Sequence, residues 1–167
     1  MAFLEANSAD PLTFLFLLFV YVVLAAIILP IPLEIAIALN PLVPIPVKAV
    51  VVGLGKGVGA IGIFYIGSTV DDAIQRWRKW GWFDWIVRNS VKLVDKLGYW
   101  GLFILLVIPG MSDTVPLYIF SLFNKGGEED EKTMSLRGFV LVNIVAGALR
   151  AIFTWYIFLR PIGYPFM

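Results

Sequence analysis

The sequence predicts an all-α integral membrane protein with about three transmembrane helices, two re-entrant helical hairpins arranged as an inverted repeat, and an interfacial amphipathic helix. Three observations carry that prediction. Of the 167 residues, 60% are hydrophobic and only 15% charged, whereas a soluble domain holds about 45–50% apolar and about 25% charged residues. Mean hydropathy is +0.88, an apolar excess that needs lipid to solvate it. Prolines cluster inside two of the apolar runs, around 30–46 and 109–116, where they remove helix donors and clash with the preceding turn.

The first element is an uncharged run whose helix-forming part, 12–29, approaches the roughly 20 residues that cross a bilayer core. Met1 to Asp10 contains no Lys or Arg. It lacks the basic n-region of a signal peptide, so this helix is expected to be retained. Residues 30–47 hold Pro30, Pro32, Pro41, Pro44 and Pro46 together with Glu34. Only about two helical turns fit between Pro32 and Pro41, so the segment is expected to enter and leave on one side as a first hairpin.

Residues 47–67 then supply a transmembrane helix carrying Lys56 and rich in glycine. Gly53 and Gly57, and Gly55 and Gly59, repeat at four-residue spacing, which permits close helix approach. Tight packing is the favoured reading, because no strand precedes these glycines and no Lys-Ser/Thr pair closes them into a phosphate loop. Residues 70–97 mix Arg76, Arg78, Lys79, Arg88, Lys92 and Lys96 with Trp77, Trp80, Trp82 and Trp85, the pattern of an amphipathic helix lying in the interface. Residues 98–124 form the second broken segment, with Pro109, Gly110 and Pro116 and one charge, Asp113. An acidic solvated loop, 124–133, precedes the last transmembrane helix, 135–159, which carries Arg150.

Pro30 to Glu34 followed by a glycine-rich span is echoed by Ile108 to Asp113 followed by another span, with Gly59-Ala60-Ile61 repeated as Gly147-Ala148-Leu149. One crossing separates the units, so their hairpins are expected to enter from opposite faces, as in transporters built on inverted repeats. In that topology the N-terminus, 68–97 and 123–137 share a side that carries nine Lys/Arg, against Lys48 and Arg160 on the other. The N-terminus is then expected in the cytoplasm and the C-terminus outside the plasma membrane.

Four ionisable residues interrupt the apolar stretches: Glu34, Lys56, Asp113 and Arg150. A charge at bilayer depth costs at least about 2.5–3.5 kcal/mol, so such residues pair or face water. Two acids and two bases point to a cluster where the hairpin tips meet, serving as a substrate or proton path. Two plainer readings stand beside that one: ion pairs that pin the hairpins together, and snorkelling of Lys56 and Arg150 toward an interface.

With no cysteine and no histidine, disulfides, thiolate chemistry and most zinc sites are excluded. No nucleophile elbow or HExxH motif occurs, and Ser112 beside Asp113 has no base. The chain is therefore expected to be neither an enzyme nor cofactor-dependent. A net charge of +1 with no basic face argues against nucleic acid.

The order of motifs resembles the DedA family, also known as SNARE-associated or VTT-domain membrane proteins. They read here as Pro30, Pro32 and Glu34; Tyr65 and Gly67; Gly98 and Gly101; Pro109 and Gly110; and Phe139, Asn143 and Gly147. The resemblance spans about 29–159. Gly98 to Phe103 is also similar to the small multidrug export family.

The DedA resemblance implies two re-entrant hairpins facing each other and a flippase or scramblase activity on phospholipids or polyprenyl phosphates, with protons as the proposed coupling ion. The family's acid falls on Glu34. The arginines that usually flank its Pro-Gly motif are absent, since Leu106 and Ser112 stand there. Membrane lipids are the expected partners, with self-association left open. The alternatives are an exporter of small cationic or amphipathic molecules and a noncatalytic scaffold docking through 77–85.

Overall fold

A computed structural model describes residues 10–27, 33–69, 96–110, 117–118, 120–121 and 135–166, and every regular element among them is helical. The helices are α1 (Pro11–Ile27), α2 (Leu33–Ala38), α3 (Ile45–Thr69), α4 (Lys96–Val107) and α5 (Leu136–Thr154). A π-helical turn, Trp155–Leu159, and a 3-10 turn, Arg160–Ile162, continue α5. Ile45–Ile66 and Leu136–Ile162 are each long and apolar enough to cross a bilayer. The interfacial helix expected over 70–97, the acidic loop, Pro30, Pro32 and Asp113 lie outside the described residues, apart from Lys96 and Leu97.

Local chemistry sets where these helices start. Asp10 Oδ2 accepts the Thr13 amide at 2.9 Å, and Pro11 occupies the first helical position, where its missing N–H costs nothing. The Thr13 hydroxyl and amide hold the Asp10 carboxyl below its ordinary value. Asn40 turns the chain after α2 at φ 51, its side-chain oxygen accepting the Leu42 amide at 3.1 Å. Helix α3 begins directly from that turn. Ser135 caps α5 by accepting the Gly138 amide, while its own amide donates to the Tyr99 hydroxyl at 2.7 Å.

Helix α3 packs between α1 and α5, and its glycines divide between the two. A Cβ on Gly53 or Gly57 would lie 2.7 Å from the Ile144 carbonyl oxygen or 2.6 Å from the Ile144 side chain. A Cβ on Gly55 or Gly59 would instead strike Val22 or Ala26 of α1. The two registers visible in the sequence therefore serve two partners.

The order of contacts gives the directions. Lys48, Gly55, Gly59 and Gly62 of α3 meet Phe14, Val22, Ala26 and Ile27 in turn, so α1 and α3 run parallel. Gly53 meets Ala148, Gly57 meets Val140, and the Phe64 and Phe139 rings lie 5.6 Å apart, so α3 and α5 run antiparallel. Tyr99 bonds Ser135 at the start of α5, and Phe103 shares a groove with Val142 and Val145, so α4 and α5 run parallel.

This arrangement corrects the expected topology. Helix α1 rises from the end marked by Lys48 toward the end marked by Tyr99. The chain must then return before α3 can start again beside Phe14. Helix α2 makes the descent: Glu34 lies within electrostatic reach of Tyr21, halfway along α1, and the carbonyls of Ile37 and Leu39 reach Lys48. The first hairpin is thus α1 with α2, and not 30–47. Pro30 and Pro32 fall in sequence between its limbs, while the turn at 39–44 leads straight into α3. The run read as the 12–29 transmembrane helix is α1, with α2 returning beside it.

The second broken segment also leaves and returns to one end. Helix α4 runs from the Tyr99 end to Gly110. The Tyr118 and Ser121 hydroxyls are back at that end, donating to the carbonyls of Ile27 at 2.9 Å and Ile63 at 2.8 Å. The C-terminal tail folds over the opposite end. There the Phe166 carbonyl accepts the Ile45 amide at 2.9 Å, and the Tyr164 carbonyl accepts Trp155 Nε1 at 3.0 Å. The start of α1 and the tail therefore share the Lys48 end of the fold, where the sequence reading expected the termini on opposite sides.

Candidate functional site: an interior ion pair where the broken segments meet

Glu34 sits in the first turn of α2, and Arg150 lies on the inner face of α5. Arg150 Nε and Nη2 donate to Glu34 Oε1 at 2.9 and 2.7 Å. The Gly110 amide donates to the same oxygen at 2.9 Å. Gly110 has φ 83, a left-handed conformation that glycine adopts without a Cβ penalty and that accompanies this inward-turned N–H. The carboxylate of the first broken segment is thereby bound to the Pro109-Gly110 break of the second.

Charge-assisted bonds of this length are among the stronger polar contacts in proteins. Burial is close to complete, with 2% of the arginine side chain and 15% of the glutamate accessible. A buried pair gains little net stability over an apolar pair, but removing one member strands the other at a cost of about 3–5 kcal/mol. All three donors converge on Oε1. The other oxygen, Oε2, is enclosed and makes no hydrogen bond among the described residues, so it retains acceptor capacity at the centre of an apolar fold.

The other predicted site residues divide. Lys56 is fully buried on α3, its aliphatic stem crossing Gly147, where a Cβ would lie 2.6 Å from the lysine Cδ. Lys56 and Arg150 are both buried within the fold, with at most 1% exposure. Pro109 and Gly110 adjoin the pair. Asp113, Pro30 and Pro32 fall outside the described residues.

Lys48, which the sequence reading only counted with Arg160 on the less basic side, carries a polar cluster. It is wholly buried, and its ammonium donates to the Ile37 carbonyl at 2.8 Å, the Leu39 carbonyl at 2.6 Å and the Tyr164 hydroxyl at 2.7 Å. The Phe14 ring lies 5.4 Å away, within cation–π range. Lysine here closes the C-terminal end of α2, whose last carbonyls have no intrahelical partner.

Asn143, Gly147, Arg150 and Thr154 line one face of α5, and all are buried. Their spacing of four, three and four residues is the signal that marks a polar stripe on a helix. Asn143 Nδ2 donates to the Phe139 carbonyl at 2.8 Å. Asn143 Oδ1 and Thr154 Oγ1 make no hydrogen bond among the described residues. The described buried charges are thus Lys48, Lys56 and Arg150 against Glu34.

No family model, curated protein or solved structure matches the chain.

Proposed function

We propose that this chain is an integral membrane protein of DedA-like plan that translocates lipid, its interior polar stripe shielding a headgroup while the acyl chains stay in the bilayer. The observation that carries the reading is Glu34 bridging Arg150 and the Gly110 amide where two proline-broken segments converge. Broken helices meeting around charged groups near mid-depth are how many transporters build a site.

Support for the membrane comes from the surface. Leu12, Phe16, Val20 and Leu24 form an exposed strip along α1, and Val50, Leu54, Val58 and Ile61 form another along α3. Continuous apolar faces of this length mark contact with lipid or with another protein. Support for an inverted repeat comes from the two parallel pairs, α1 with α3 and α4 with α5, set antiparallel to each other. In each unit a hairpin precedes the long helix and opens at the end where that helix starts. In a bilayer these hairpins are re-entrant, from opposite faces.

The connections that open at the Tyr99 end carry Arg76, Arg78, Lys79, Arg88, Lys92, Lys96, Lys125, Lys132 and Arg137. The positive-inside rule puts that end in the cytoplasm and both termini outside. Transport requires no chemical step, and no catalysis is part of this reading.

Labelled phospholipid in liposomes tests it. The reconstituted protein is expected to move lipid between leaflets faster than protein-free vesicles, and Glu34→Gln to slow it. A protein-free rate with correctly inserted protein refutes translocation. Efflux of a cationic dye that is lost in Glu34→Gln, with lipid static, would establish the exporter instead.

A further inference from the structure

Two apolar grooves run side by side on the outer surface at the Tyr99 end, each with a volume of about 340 Å³. One lies between α4 and α5, with Tyr99 at its mouth and Phe103 and Val145 deeper. The other lies between α3 and α5, with Arg137 at its mouth and Ile61 and Ile144 deeper. Leu141 lines both and stands between them as a ridge, 61% exposed. Both grooves therefore share one polarity: a polar or cationic residue near the start of α5, then apolar side chains one to two turns further along, aromatic (Trp100, Phe103) as well as aliphatic in the first groove.

We propose that the grooves seat the two acyl chains of a single anionic phospholipid that straddles Leu141 and places its phosphate on Arg137. Three features select this occupant over a protein helix. Two parallel slots separated by one residue match a two-chain ligand, whereas a helix needs one continuous trough. Among the described residues Arg137 is the only charged one lining either slot, and guanidinium pairs with phosphate in a fixed fork geometry. Arg137 also lies in the first turn of α5, where free backbone amides and the helix dipole favour an anion.

This bound lipid is an annular ligand on the outer face, separate from the interior pair. It rests on the membrane part of the proposed function and not on translocation.

Native mass spectrometry of protein extracted from mixed vesicles of dioleoyl phosphatidylglycerol and dioleoyl phosphatidylcholine tests it. Wild type is expected to retain one phosphatidylglycerol in preference to phosphatidylcholine. Arg137→Gln should cut that preference about fivefold, the effect of one basic residue at an anionic surface. Leu141→Trp, which fills both slots from the ridge, should lose the retained lipid of either class. A single-chain lysophosphatidylglycerol should compete poorly.

Equal retention of both lipids by wild type, or an unchanged preference in Arg137→Gln, overturns the proposal. A lipid-free dimer that Leu141→Trp converts to monomer also overturns it and assigns the face to a second copy. Protein that stays in the aqueous phase without detergent refutes the membrane reading itself. Specific retention by a protein that moves no lipid upholds this site while refuting translocation.

Discussion

Glu34 gathers three donors on one oxygen, and that concentration explains what neighbouring substitutions should do. Arg150→Met leaves an enclosed carboxylate with one amide donor, and stability is expected to fall by about 3–5 kcal/mol. Glu34→Gln keeps the volume and one acceptor and should cost less. Thermal unfolding of both variants in one detergent gives the ranking, and a larger loss for Glu34→Gln would contradict it.

Lys48 offers an independent test. Lys48→Met removes three donated bonds and strands the Ile37 carbonyl, at about 1–3 kcal/mol for a buried unsatisfied acceptor, leaving the Leu39 carbonyl only the Tyr164 hydroxyl at 3.3 Å. Tyr164→Phe removes two bonds of about 0.5–1.5 kcal/mol each but strands no carbonyl, since Lys48 still donates to both. The lysine variant should therefore melt well below the tyrosine variant. Glu34 and Arg150 were legible in the sequence because lone charges in apolar runs must find partners. Their mutual choice was not, because it depends on how α2 and α5 cross. Lys48 was not among the candidate site residues, because nothing local announces that Tyr164 returns to cover it.

At the scale of the helices, the glycines of α3 explain how three helices approach one another around Lys56. Gly53 and Gly57 admit α5, and Gly55 and Gly59 admit α1. Gly53→Val, which drives a side chain against the Ile144 carbonyl, is expected to destabilise by about 1–3 kcal/mol through overpacking. Leu54→Val, on the exposed face of the same helix, should be nearly neutral. Unfolding midpoints that do not separate these two would remove the packing role.

The four-residue glycine spacing declared tight packing from sequence alone, but which register served which neighbour needed the fold. The prolines were equally legible as breaks. Their place in a hairpin was not, because a break marks a tip or a base with the same residues. Helix α1, 17 residues long and about 25 Å at 1.5 Å per residue, looks the same in sequence whether or not α2 returns beside it.

For the molecule as a whole, the parallel setting of α1 and α3 fixes the topology, since two parallel neighbours require the chain between them to come back. The start of α1 and the C-terminal tail then lie at one end of the fold. The chain has no native cysteine, so single-cysteine variants report cleanly. Ala9→Cys and Met167→Cys are expected to react with an impermeant maleimide from the same face of sealed vesicles, and Lys132→Cys from the other. Labelling of residues 9 and 167 from opposite faces would restore the topology read from the sequence. The positive-inside rule reads loops and not the paths of broken helices, so from sequence it could not report which end of the fold the start of α1 and the tail share.

The central claim is that the Glu34–Arg150 pair, where the broken segments meet, forms part of a path for lipid. The most direct measurement is leaflet exchange of a fluorescent phospholipid in liposomes holding equal amounts of wild type, Glu34→Gln and Tyr164→Phe, each confirmed as folded and inserted. Exchange is predicted to be fast in wild type, to fall toward the protein-free rate in Glu34→Gln, and to persist in Tyr164→Phe. Equal exchange in wild type and Glu34→Gln, or none above protein-free vesicles in wild type, would contradict the claim.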